Sequence, residues 1–123
     1  MYEISIKTSF SSAHQIKGYN GACENLHGHN WLAEVFVRTN KLDEVGLGLD
    51  YKVLKKHTDH ILSKLDHKNI NKVGPFDKIN PSSENIAMWL FRELSAMINT
   101  DSLKVFRVNI QETENFSASY FEK

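Results

Sequence analysis

The chain has a single cysteine, Cys23, so no disulfide can form within it. That usage fits a reducing compartment, where a thiol stays available for chemistry. No apolar run approaches the length of a signal-peptide core or a membrane span, and Met1-Tyr2-Glu3-Ile4-Ser5-Ile6-Lys7 already alternates as a strand does; a cytoplasmic location with no membrane partner is expected. Neither sign of charge dominates, because 15 Lys and Arg balance 15 Asp and Glu. Basic residues are not interleaved with aromatics either, so nucleic-acid binding is disfavoured, while a local basic pocket for a phosphorylated small molecule is still compatible. There is no linker, repeat or low-complexity segment. The 123 residues, 41% hydrophobic and 24% charged, suit one domain over residues 1–123 that buries a single core.

What is present reads in the order strand, strand, helix, helix, strand, strand. Residues 2–10 and 31–39 alternate, with Ala33, Val35 and Val37 on one parity. Asp50 is the expected N-cap of a helix over 51–65, whose Val53, Leu54, His57, Ile61, Leu62 and Leu65 share one face. His57 there is most simply a structural histidine. Pro81-Ser82-Ser83-Glu84 opens a second helix to about residue 99, with Ile86, Ala87, Leu90, Phe91, Leu94, Met97 and Ile98 as its apolar stripe. Met88 and Trp89 lie off that stripe and point to a further covered surface such as a subunit contact. Residues 103–111 and 117–122 complete an α+β arrangement.

The most informative stretch is Cys23-Glu24-Asn25-Leu26-His27-Gly28-His29, with a thiol, a carboxylate and a His-x-His pair within seven residues. Side chains alternate faces in extended backbone, so His27 and His29 point the same way and can grip one ion. A catalytic zinc usually takes three protein ligands, and His14, brought back by a hairpin-like return, is the third candidate. Three neutral imidazoles favour Zn2+ over the oxygen-seeking magnesium or calcium. Each residue alone would pass for a surface or packing residue; the cluster carries the inference. Cys23 as a fourth ligand, giving a closed, zinc-stabilised binding module, stays open.

Two places break the local pattern, and such breaks are where function tends to show. Phe106, Val108 and Ile110 share a parity with Glu112, which sets a carboxylate at the end of an apolar face, where it needs a cationic or donor-rich partner unless the strand has already ended. Asp66-His67 can form an orienting pair in which the carboxylate raises imidazole basicity, though a helix C-terminus also attracts histidine for its dipole.

Six motifs in order, F-S-S-A-H at 10–14, C-x-x-x-H-G-H at 23–29, G-L-G-L-D-Y at 46–51, L-D-H at 65–67, N-P-S-S-E-N at 80–85 and Q-E-T at 111–113, span nearly the whole chain. Together they resemble the 6-pyruvoyltetrahydropterin synthase and 6-carboxytetrahydropterin synthase family. The resemblance implies a tunnelling fold: a four-stranded antiparallel sheet with two helices on one face, joined through sheet edges into a homohexamer of two stacked trimers with sites between subunits. It implies that His14, His27 and His29 hold zinc and that Cys23 is the catalytic thiol. Asp66 and His67 are then the partner dyad, supplied by a neighbouring subunit. Glu112 anchors the two-donor edge of a pterin, and Ser82, Ser83 and Glu84 touch it too, although helix capping explains both serines equally well.

The reaction so implied is a lyase conversion of 7,8-dihydroneopterin triphosphate to 6-carboxy-5,6,7,8-tetrahydropterin, with loss of triphosphate and acetaldehyde, in queuosine biosynthesis. The chain departs from the family pattern at Gln15, where arginine is common, and at Gly48, where a branched residue is more usual. Glu24 makes E-x-x-H-G-H, which resembles the branch that forms 6-hydroxymethyl-7,8-dihydropterin for folate. The carboxy, pyruvoyl and hydroxymethyl products therefore stay open, as does a plain solvated role for Glu24.

Overall fold

The computed structural model describes residues 1–18 and 24–123. Strands β1 (Tyr2–His14) and β2 (His27–Thr39) form a long antiparallel hairpin in continuous register from Tyr2 opposite Thr39 to His14 opposite His27. Helices α1 (Tyr51–Leu62) and α2 (Ser83–Ile98) follow, with a single 3₁₀ turn, Ile70–Lys72, between them. Strands β3 (Leu103–Thr113) and β4 (Phe116–Tyr120) complete a four-stranded antiparallel sheet of order β1-β2-β3-β4. This is the expected α+β architecture.

Period-two alternation builds the sheet. Ile6, Phe10, Trp31, Ala33, Val35, Val37, Val108 and Ile110 face the helices and are buried, while Glu3, Ser5, Lys7 and Ser9 on the other parity of β1 are exposed. The helices close that face with Leu54, Ile61 and Leu62 from α1 and Ile86, Ala87, Leu90 and Leu94 from α2. Burying each such large side chain contributes about 1.5–3 kcal/mol. Asp50 caps α1, accepting from the Lys52 N–H at 2.8 Å, as expected. Ser82 caps α2, accepting from the Asn85 N–H at 3.1 Å.

Several expectations need correction. β1 and β2 run to His14 and begin at His27, so the three candidate histidines are strand residues, with His14 opposite His27 and His29 opposite Ser12. Helix α1 ends at Leu62, three residues short of expectation. Its inward face uses Thr58, whose hydroxyl donates to the Leu54 carbonyl at 2.8 Å, while Val53 is 42% exposed and His57 half-buried. A bulge opposite Phe36 and Val37 shifts the parity of β3, so Val105 pairs with Val37 and enters the core. Phe106 is left outside the core and lies under the Arg38 guanidinium, 3.4 Å from the ring centroid. Trp89 packs edge-on against Phe76, with centroids 5.6 Å apart, so within the chain itself it already has a covering surface.

Candidate metal centre and active site

Antiparallel pairing places His14 opposite His27, and the two-residue period puts His29 on the same face. The three imidazoles stand edge to face with centroids 4.7–5.3 Å apart. Trp31, fully buried two residues beyond His29, closes the cluster from the core side at 4.8 Å from His14 and 5.3 Å from His29. Its indole N–H donates to the Ser12 carbonyl at 3.2 Å, which holds the wall in place.

The second nitrogen of two of these rings is committed. His14 Nδ1 is 2.8 Å from the Pro81 carbonyl and His27 Nδ1 is 2.7 Å from the Asn25 carbonyl. A carbonyl can only accept, so Nδ1 carries the proton in both rings and Nε2 keeps its lone pair for the cluster. Burial lowers the pKa of His29 below its usual value, against the opposing pull of the Glu112 carboxylate. A neutral ring is the state that a ligand requires.

Glu112 completes the group. Its Oε1 lies 2.8 Å from His29 Nε2, 3.4 Å from His14 Nε2 and 4.0 Å from His27 Nε2, and Ser83 Oγ donates to its Oε2 at 3.4 Å. One potential ligand atom from each of the four residues falls within 4.8 Å of all the others. The approach of Oε1 is close without the directionality of a hydrogen bond: among the described residues, Nε2 of His14 and of His29, both shut off from solvent, have no hydrogen-bond partner. Lone-pair atoms crowded in this way repel one another unless a cation draws them together, so the donor set fits a divalent metal.

A second group forms on the free edge of β1. The Ser11 N–H donates to Asp66 Oδ1 at 2.9 Å, the His67 N–H donates to the Ser11 carbonyl at 2.6 Å, and His67 Nδ1 is 3.0 Å from Asp66 Oδ1. The Ser11 N–H, before the imidazole, holds the Asp66 carboxyl below its usual range. His67 has a left-handed backbone, φ 57°, and its side chain is 82% exposed. The expected pair therefore exists and its imidazole points outward from the chain.

The structure thus brings His14, His27, His29, Glu112 and Ser83 together and sets Asp66 and His67 on the opposite side of β1. Ser82 serves as a helix cap, and Glu84 is exposed in the first turn of α2. Cys23 lies outside the described residues. Glu24 is exposed: its N–H donates to the Ile16 carbonyl at 3.0 Å and its carboxylate accepts from the Ile16 N–H at 3.2 Å. Gln15 replaces any charge contact with a hydrogen bond to the Glu24 carbonyl at 3.2 Å.

Sequence reasoning missed two asparagines that prolong β1 beyond His14. Asn71 bonds both the N–H and the carbonyl of Gln15, at 2.8 and 2.9 Å, and Asn80 does the same for Lys17, at 2.8 and 2.9 Å. Their side chains act as a short substitute strand. Asn80, before Pro81 in a quoted motif, had a turn signal; Asn71 had none. The reach of Glu112 to all three imidazoles was also missed, since its distance from them in sequence hides the register that brings β3 alongside β2.

The family model described as 6-pyruvoyl tetrahydropterin synthase matches residues 3–123. The chain is 33% identical over 126 residues to the 6-carboxy-5,6,7,8-tetrahydropterin synthase of Synechocystis sp., spanning 98% of this chain and 94% of that one. It is 34% identical over 110 residues to the dihydroneopterin monophosphate aldolase of Pyrococcus furiosus, spanning 89% of each. The solved structure of Caenorhabditis elegans 6-pyruvoyl tetrahydropterin synthase superposes with a TM-score of 0.82 at 28% identity, covering 99% of this chain and 96% of that one.

Proposed function

Since the chain belongs to the 6-pyruvoyl tetrahydropterin synthase family, a family of lyases, we propose that it converts 7,8-dihydroneopterin triphosphate to 6-carboxy-5,6,7,8-tetrahydropterin, releasing triphosphate and acetaldehyde. The observation that carries this reading is the convergence of His14, His27, His29 and Glu112 at one end of the hairpin, in a chain so similar to a 6-carboxy-5,6,7,8-tetrahydropterin synthase. Queuosine biosynthesis in the cytoplasm is the setting proposed, by one pterin-synthase domain over residues 1–123.

His14, His27 and His29 would hold zinc, which when bound supplies Lewis-acid polarisation of the substrate's side-chain hydroxyls. Glu112 accepts the 2-amino and N3–H donors of the pterin ring, a bidentate pairing natural to a carboxylate. Ser83, donating to Glu112, steadies that anchor, and Ser82 and Glu84, its chain neighbours at the start of α2, would touch the pterin. Cys23, as thiolate, takes the proton from the side-chain carbon next to the ring. His67 moves protons on the other face, with Asp66 fixing its Nδ1 side. The outward exposure of His67 supports its serving a neighbouring subunit of a homohexamer of two stacked trimers.

A second reading has a specific observation behind it: the similarity to an aldolase whose name specifies dihydroneopterin monophosphate. In that reading the product is 6-hydroxymethyl-7,8-dihydropterin and Glu24 takes a catalytic part. The hydrogen bond of the Glu24 carboxylate to the Ile16 N–H supports a holding role and so favours the first reading. Incubation of the zinc-loaded protein with 7,8-dihydroneopterin triphosphate and mass analysis of the products decides. The 6-carboxy product is expected to dominate, and its ratio to other pterins should be the same in Glu24→Ala; absence of any pterin product overturns the enzymatic reading.

A further inference from the structure

Glu112 sits where a fourth ligand would belong if His14, His27 and His29 held a metal. In a tetrahedral site with bonds of about 2.0 Å the ligand atoms are about 3.3 Å apart. Glu112 Oε1 stands 2.8, 3.4 and 4.0 Å from the three Nε2 atoms, scattered around that edge length. The carboxylate reaches this place because a bulge between Gln111 and Thr113 interrupts the β3–β4 ladder at the end of the strand. Its other oxygen accepts from Ser83, the buried first residue of α2, so each oxygen of the carboxylate already has a separate neighbour.

From this geometry we infer that Glu112 ligates the metal in the substrate-free protein and leaves it when a pterin ring binds. The inference rests on the pterin-anchoring role of Glu112 proposed above. The two parallel donors of the ring take both carboxylate oxygens, and Oε1 cannot then remain directed at the imidazole cluster. Ring recognition and the opening of a coordination position are therefore one event. No bond to carbon changes; the carboxylate would exchange a metal for the two donors of the ring, leaving one coordination position to water, azide or a substrate hydroxyl. The carboxylate would shield a bound metal from water and stray anions until the ring arrives, at a site whose Nε2 atoms on His14 and His29 are already shielded from solvent.

Cobalt-loaded protein tests this with azide as the reporter of an open position and with a simple pterin that lacks side-chain hydroxyls and so cannot itself reach the metal. In the native protein the pterin should tighten azide binding about tenfold, a normal size for coupling between two ligands. In Glu112→Gln azide should bind tightly with or without pterin, and cobalt should be lost to a chelator at about tenfold lower concentration. Glu114→Gln, in the exposed β3–β4 turn, should match the native protein in every measurement. Pterin that binds, by ring fluorescence, but leaves azide affinity unchanged overturns the ligand exchange alone, whereas pterin that does not bind overturns the proposed function with it. The paired azide titrations need only the native protein, so the outcome stands even if Glu112→Gln fails to fold.

Discussion

Asp66 illustrates how one carboxylate can be tuned by its backbone neighbour. Its folded-state pKa is depressed, chiefly by the Ser11 N–H, so its contribution to stability is complete above the ordinary carboxylate value and is lost as pH falls through the folded one. Asp66→Asn keeps an oxygen for that N–H and removes the charge. The stability gap between native protein and variant should therefore narrow as pH falls below about 4, by urea unfolding at a series of pH values. A gap that is constant with pH would show that the charge is irrelevant. The histidines give a second expectation at this scale. His14 is the buried ring whose Nδ1 is fixed by Pro81, so after loading with zinc His14→Ala should retain less metal than His27→Ala, whose ring is half-exposed, by atomic absorption after gel filtration.

At the scale of elements, the continuation of β1 past His14 is held at Gln15 and Lys17 by the side chains of Asn71 and Asn80. Asn71→Ala and Asn80→Ala each delete two hydrogen bonds to backbone. The Asn71 pair is partly buried and its loss should cost about 1–2 kcal/mol, and the exposed Asn80 pair should cost less, by chemical denaturation. These asparagines also mark where sequence reading ends. Strands, helix caps and the three imidazoles were legible because period, capping chemistry and H-x-H spacing are local signals. The bulge that expels Phe106, and the reach of Glu112 into the histidine cluster, depend on the register between β2 and β3, which no local signal encodes. Thr58 in place of Val53 on the inward face of α1 shows the same limit: its hydroxyl is satisfied by the Leu54 carbonyl, so a polar residue can sit in the core where the helical pattern favours an apolar one.

For the whole molecule, the apolar centre lies on a single face of the sheet, between β2, β3 and α2. Leu90→Ala, at a fully buried position there, should cost about 2–5 kcal/mol, which thermal or urea unfolding will register. The opposite face is of another kind: Arg38 lies over Phe106 and Arg107 over Phe36, at 3.4 and 3.9 Å. That leaves aromatic area covered by guanidinium rather than by a second layer of structure. The proposed hexamer predicts a particle of six chains of 14.1 kDa by light scattering at micromolar concentration; a monomer at that concentration would contradict it.

The segment from Asp66 to Asn69 already occupies the free edge of β1 at its far end. It does so through Ser11 and Ala13, the latter donating to the Lys68 carbonyl at 3.0 Å and bridging to Asn69. Among the described residues, hydrogen-bonding capacity on that edge is consumed from Ser11 onward and is open only over the residues before it. A strand from another copy that added to this edge would run into a built-in stop and could slide no further. The stop would fix the alignment between the two copies to the residue, and the side chain it would present to the arriving chain is His67.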